Sequence, residues 1–78
     1  MKVKVKYFGM IAEAAGKSEE VLELENKLSV SELKKRQIVN YKIPDPDAVQ
    51  IAVNHDLKTE VELKEGDEVA FLPPFAGG

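Results

Sequence analysis

"DEVAFLPPFAGG", Asp67–Gly78, is the stretch from which the rest of the chain can be read. Within it Glu68 to Leu72 alternates. Val69 and Phe71 fall on one side and Leu72 on the other, the period-two pattern of a half-buried strand. Gly66-Asp67, inside "KEGDE", supplies the turn that starts it. Pro73 and Pro74 then offer no amide donors and cannot pair as a central strand, so the strand ends at Leu72. The chain accordingly divides into a folded domain over residues 1–72 and a flexible tail over residues 73–78.

Working outward, "KVKVKYF" (Lys2–Phe8) sets Val3, Val5 and Tyr7 against Lys2, Lys4 and Lys6, which predicts a second half-buried strand closed by Gly9. "MIAEAAGK" (Met10–Lys17) predicts a short helix capped at Gly16. "VLELE" (Val21–Glu25) predicts a strand with Leu22 and Leu24 inward. In "SVSELKKRQ" (Ser29–Gln37), Ser29 and Glu32 form a capping-box pattern. Val30, Leu33 and Tyr41 share the inward face of that helix, and Lys34, Lys35 and Arg36 suit its later, negative end. Gln37 interrupts the apolar stripe, and the prolines of "IPDPDA" (Ile43–Ala48) cannot continue a helix. "VQIAV" (Val49–Val53) predicts another strand, "NHD" a turn, and Leu57 to Leu63 a short extended or irregular stretch.

The order is strand, short helix, strand, main helix, strand, strand. The compact solution is an α+β fold: a mixed sheet with one main helix across one face, the ubiquitin-like β-grasp arrangement. At 78 residues the chain makes one small core. The alternation carries a second consequence. Phe8 and Leu72 point away from the core strands' inward residues, so they fall on the sheet's open face, where Leu57 can join them. Such an apolar patch on a small soluble protein marks a partner surface.

The composition excludes several functions. A formal net charge of −3 argues against nucleic acid as a partner. The absence of cysteine removes disulfides, thiolate metal sites and thiol nucleophiles. No apolar run reaches membrane-span length, and the alternating N-terminus is no signal peptide, so a cytoplasmic protein without membrane contact is expected. His55, the only histidine, has too few companions for a metal site and reads as a turn or surface residue. Glu19, Glu20, Glu23 and Glu25 read as a solvated face. Asp67 and Glu68 could meet basic residues of a partner, and a turn residue and an edge charge explain them equally well. No phosphate-cradling glycine loop is present.

The tail has features of its own. Pro73 and Pro74 stiffen its exit, which lowers the entropy lost on docking. Its six residues, Pro73, Pro74, Phe75, Ala76, Gly77 and Gly78, reach roughly 20 Å when extended. Phe75 can anchor the tail in a partner's pocket. Gly77 and Gly78 pass a narrow channel and leave the terminal carbonyl open to attack.

These features resemble a known family. "GDEVAFLPPFAGG" (Gly66–Gly78) is similar to the C-terminal signature of the small subunits of molybdopterin synthase, the MoaD-like sulfur carriers. "IAVN" (Ile51–Asn54), "KVKYFG" (Lys4–Gly9) and "SVSEL" (Ser29–Leu33) fit as well. The departure is "KKRQIVNYKIPDPDA" (Lys34–Ala48), with a polar helix end and a proline-rich loop. The resemblance implies that an adenylating enzyme of the ubiquitin-activating type, using ATP and magnesium, activates the Gly78 carboxylate. Sulfur then displaces AMP to leave a thiocarboxylate. It implies that residues 73–77 enter the synthase large subunit, that Phe8, Leu57 and Leu72 contact that subunit, and that sulfur passes to a pterin precursor to build the dithiolene. No cofactor would be bound by this chain. Two other readings share the chemistry: a ubiquitin-like modifier joined to lysines through Gly78, and a carrier for thiamin synthesis, whose tail usually lacks the "FLPPF" stop.

Overall fold

The computed structural model describes residues 1–25, 28–57 and 60–74. Its elements run β1 (Lys2–Tyr7), α1 (Gly9–Ala15), β2 (Glu19–Glu23), α2 (Val30–Tyr41), a 3₁₀ turn (Pro46–Ala48), β3 (Gln50–Val53), β4 (Asp56–Leu57) and β5 (Glu68–Leu72). The strands form one sheet in the order β2-β1-β5-β3-β4. β1 and β5 pair in parallel, and the other neighbours are antiparallel. The parallel pair at the centre requires a crossover, which α2 and the following loop supply. This is the expected mixed sheet of a β-grasp.

The core lies between α2 and one sheet face. Val3, Val5 and Tyr7 of β1, Val69 and Phe71 of β5, and Ile51 and Val53 of β3 are all buried, as are Val30 and Leu33 of α2. Alternation placed the strand residues correctly, and helical spacing placed Val30 and Leu33. The α2 capping box forms as predicted: Ser29 Oγ accepts from the Glu32 amide at 3.2 Å, and the Ser29 amide donates to Glu32 Oε1 at 3.0 Å.

Four expectations need correction. β2 covers Glu19–Glu23 rather than Val21–Glu25. Pairing with β1 sets its place, through Leu22 opposite Val3 and Glu20 opposite Val5. Leu24 is still buried, but beyond the strand's end. Glu20 therefore faces the helix instead of joining a solvated face. Next, α2 does not weaken at Gln37. It runs to Tyr41, because the buried Gln37 amide donates to the Tyr7 hydroxyl at 2.7 Å and its oxygen accepts from Asn40 Nδ2 at 3.1 Å. Since the helix is longer, Lys34, Lys35 and Arg36 sit in its middle, and its last turn carries no basic residue. Finally, Asp56 leaves the "NHD" turn to start β4. The turn is Asn54-His55, both at positive φ (50° and 74°), as a tight hairpin with the sheet's twist demands.

Candidate functional site

The register fixes which side chains share the open face. Lys6 lies beside Ala70, Ala70 beside Ala52, and Ala52 beside Leu57, in one row across four strands. Leu72 lies beside Gln50 in the adjoining row. β1 and β5 pair up to Tyr7 and Phe71, so the next residues along, Phe8 and Leu72, continue side by side at the sheet's end. Phe8 and Leu57 are 43% and 64% exposed, and Leu72 is half-buried. The three residues expected on the open face are therefore all there, and none is taken up by the core.

Two residues of this surface escaped the sequence reading. Ala52 and Ala70 floor the patch between Leu57 and the β1 edge. Alternation in β3 and β5 already turns both away from the core, and the β3–β5 register sets them side by side. Val21, 63% exposed, also lies on this face, beside Lys4.

Charge frames the patch. Glu68 Oε1 is 3.7 Å from Lys6 Nζ, and its Oε2 is 3.2 Å from His55 Nε2. Lys4 reaches Glu19 at 3.7 Å. Asp67 accepts from the Lys64 amide at 2.8 Å and from Asn54 Nδ2 at 3.0 Å, which ties the turn before β5 to the β3–β4 hairpin. Asp67 is thus a turn residue and His55 an exposed turn residue, as expected, whereas Glu68 opens the central strand β5 rather than lying at a sheet edge, and it pairs with Lys6 and His55. Among the described residues no group of His, Cys, Asp or Glu is arranged to hold a metal ion.

The root of the tail is part of the body. Pro73 and Pro74 are half-buried, and Pro73 packs close to Gly9. Phe75, Ala76, Gly77 and Gly78 lie outside the described residues. The chain therefore leaves the sheet from Leu72, at the same end of the open face where Phe8 stands. A separate hollow of about 380 Å³ opens between α2 and β3, lined by Val30, Lys34, Val49 and Ile51 among others. It shares only Gln50 and Leu57 with the open face and does not reach the tail's root.

Beneath the sheet a polar cluster fixes α2 to β2. Glu20 Oε2 accepts from the Tyr7 hydroxyl at 2.5 Å and from the Tyr41 hydroxyl at 2.6 Å. Glu20 Oε1 accepts from Lys17 Nζ at 3.3 Å, and that ammonium stands 5.3 Å from the centre of the Tyr41 ring. Burial pushes the Glu20 carboxyl upward, but the Tyr41 and Tyr7 hydroxyls and Lys17 outweigh it and hold it below the usual range. Burial, then the Glu20 bond, raises the Tyr7 phenol. The cluster lies on the core face of the sheet, opposite the face that carries Leu57 and Leu72.

Known proteins agree with this architecture along the whole chain. The model of the ThiS family matches residues 5–78. A molybdopterin synthase sulfur carrier subunit from Mycobacterium tuberculosis is 38% identical over 82 residues, covering 100% of this chain and 99% of that protein. A Pyrococcus furiosus structure assigned as molybdopterin converting factor subunit 1 superposes with a TM-score of 0.82 at 35% identity, over 95% of this chain and 98% of that one. A Helicobacter pylori complex of subunits 1 and 2 of molybdopterin-converting factor contains a chain with a TM-score of 0.70 and 27% identity, with both chains covered completely.

Proposed function

This chain belongs to the ThiS family, and on that premise we propose that it is the sulfur-carrier small subunit of a cytoplasmic molybdopterin synthase. The observation that carries the reading is the continuity of Leu72 with Pro73. Leu72 lies on the apolar open face with Phe8 and Leu57, and the next residue begins the tail. A partner that covers the open face therefore receives the tail at the edge of the same contact.

The chemistry follows from the tail's composition. A carboxylate is a poor acylating group, so Gly78 needs activation. An adenylating enzyme joins its oxygen to the α-phosphate of ATP, with magnesium, and releases pyrophosphate. Sulfide-level sulfur, as HS−, then attacks the acyl carbon, AMP leaves with the bonding pair, and after loss of the proton Gly78 carries a thiocarboxylate. That sulfur is ionised at neutral pH and is a soft nucleophile. Docking on the large subunit places it beside the pterin precursor, and tethering makes the attack effectively unimolecular. The tail beyond its Pro73-Pro74 root threads the channel, and Phe75 anchors it there. This chain binds neither ATP nor magnesium itself.

The test is reconstitution with a synthase large subunit and thiocarboxylated protein. Sulfur transfer to the precursor is expected. One residue added after Gly78 is expected to abolish transfer and leave the fold unchanged. Transfer by the extended chain would overturn the terminal-carboxylate reading.

A further inference from the structure

We propose that Gly9 is a positioning residue: it forms a seat for Pro73 that sets the direction in which the tail leaves the body. The inference rests on the terminal-carboxylate reading above and adds a residue to it. Gly9 has φ +56°, where side chains are disfavoured. A Cβ there would lie 3.2 Å from Pro73 Cγ and 3.9 Å from Pro73 Cβ. The first distance is tighter than ordinary contact, so a side chain at this position requires the proline ring to give by a few tenths of an ångström.

Neither partner is free to retreat. The Phe8 carbonyl accepts from the Ile11 amide at 3.1 Å and the Ala12 amide at 3.4 Å, which fastens the start of α1, and Ile11 is fully buried. On the other side, Leu72 is held in β5 against β3, and the proline ring locks its own φ. Pro73 therefore does not swing from Leu72: its ring stands against Gly9, and the chain sets out from there. Five residues follow Pro73 up to the Gly78 carboxylate, so the place where the chain sets out from Pro73 bears on where that carboxylate is presented. Misplacing a reacting atom by about 1 Å costs on the order of a hundredfold in rate.

A double-mutant cycle separates seating from backbone strain. Gly9→Ala introduces both the strain at positive φ and the collision with Pro73. Gly9→Ala with Pro73→Ala keeps the strain and removes the Cγ that collides. Two readouts are taken: the nuclear Overhauser contact between Gly9 Hα and Pro73 Hγ in the free protein, and single-turnover sulfur transfer at saturating large subunit, with Kd measured separately. The contact is expected in the native protein. Gly9→Ala is expected to slow transfer about tenfold, with Kd changing by less than that because the side chains of Phe8, Leu57 and Leu72 are retained. Pro73→Ala alone is expected to lose less, and the double variant to recover most of the loss. An absent contact, native-rate transfer by Gly9→Ala, or a double variant as slow as Gly9→Ala would each overturn the seat. Should the native protein pass no sulfur, the proposed function fails. The Overhauser contact and the adenylation rates of the same variants then decide the seat on their own.

Discussion

The Tyr7 hydroxyl donates to Glu20 Oε2 over 2.5 Å, joining β1 to β2 through a carboxylate on the core side of the sheet. The Tyr41 hydroxyl completes the link to the last turn of α2 at 2.6 Å. The end of the main helix is thus held by hydrogen bonds where its apolar stripe runs out.

This cluster predicts an acid-sensitive fold. The Glu20 carboxyl titrates below its ordinary value of 4.5 in the folded protein. A group depressed in this way stabilises fully above its unfolded pKa, and its contribution is lost as the pH falls through the lower folded value. Urea unfolding across a pH series is expected to show stability falling below about pH 4.5. Glu20→Gln should flatten that part of the curve and cost about 1–2 kcal/mol at neutral pH. Equal acid slopes for the two proteins would remove Glu20 from this role.

Gln37 is only 2% exposed and spans Tyr7 and Asn40. Gln37→Ala leaves a cavity and removes the bridge, so a loss of about 2–4 kcal/mol is expected. Gln37→Leu fills most of the space, and Tyr7 keeps Glu20 as a partner, so about 1 kcal/mol is expected. Thermal unfolding checks the order. A leucine variant less stable than the alanine variant would contradict it.

Phe71 and Leu72 are neighbours on opposite faces. Phe71 is fully buried and contacts the Tyr7 ring, with centroids 5.5 Å apart, whereas Leu72 is half-buried on the open side. Leu72→Asp is expected to weaken large-subunit binding at least about tenfold and to leave the melting temperature nearly unchanged. Phe71→Asp is expected to unfold the domain. Calorimetric titration and circular dichroism distinguish the two. Unfolding by Leu72→Asp would reverse the face assignment.

Ser29 caps α2 through its hydroxyl and the reciprocal Glu32 bond. Ser29→Ala is expected to cost about 1 kcal/mol, read as a lower urea midpoint with unchanged slope. An unchanged midpoint would show that helix packing, not the cap, sets where α2 begins.

Local patterns carried most of the fold. Alternation in "KVKVKYF" and "EVAFL" sorted the faces of β1 and β5, and with them Phe8 and Leu72. Ser29 and Glu32 marked the start of α2. What stayed hidden depends on pairing between distant residues. Glu20 looks like a surface charge until β1 sets it opposite Val5, beside Tyr7. Gln37 looks like the end of a helix until the Tyr7 hydroxyl reaches it. Ala52 and Ala70 have no character of their own, and register sets them side by side in the site. The close approach of Gly9 to Pro73 likewise follows from the parallel β1–β5 pairing.

The central claim is that Gly78 carries sulfur, and one measurement addresses it directly. Protein purified from its native host is treated with a thiol-reactive alkylator and its intact mass and fragments are recorded. The chain has no cysteine, so its own side chains supply no thiol. Mass alone is ambiguous, because oxidation of Met1 or Met10 adds nearly the same increment as replacing one oxygen by sulfur. A single label mapping to Gly78 is the predicted result. An unlabelled chain found joined to lysines through Gly78 would contradict the sulfur-carrier account and make the protein a modifier.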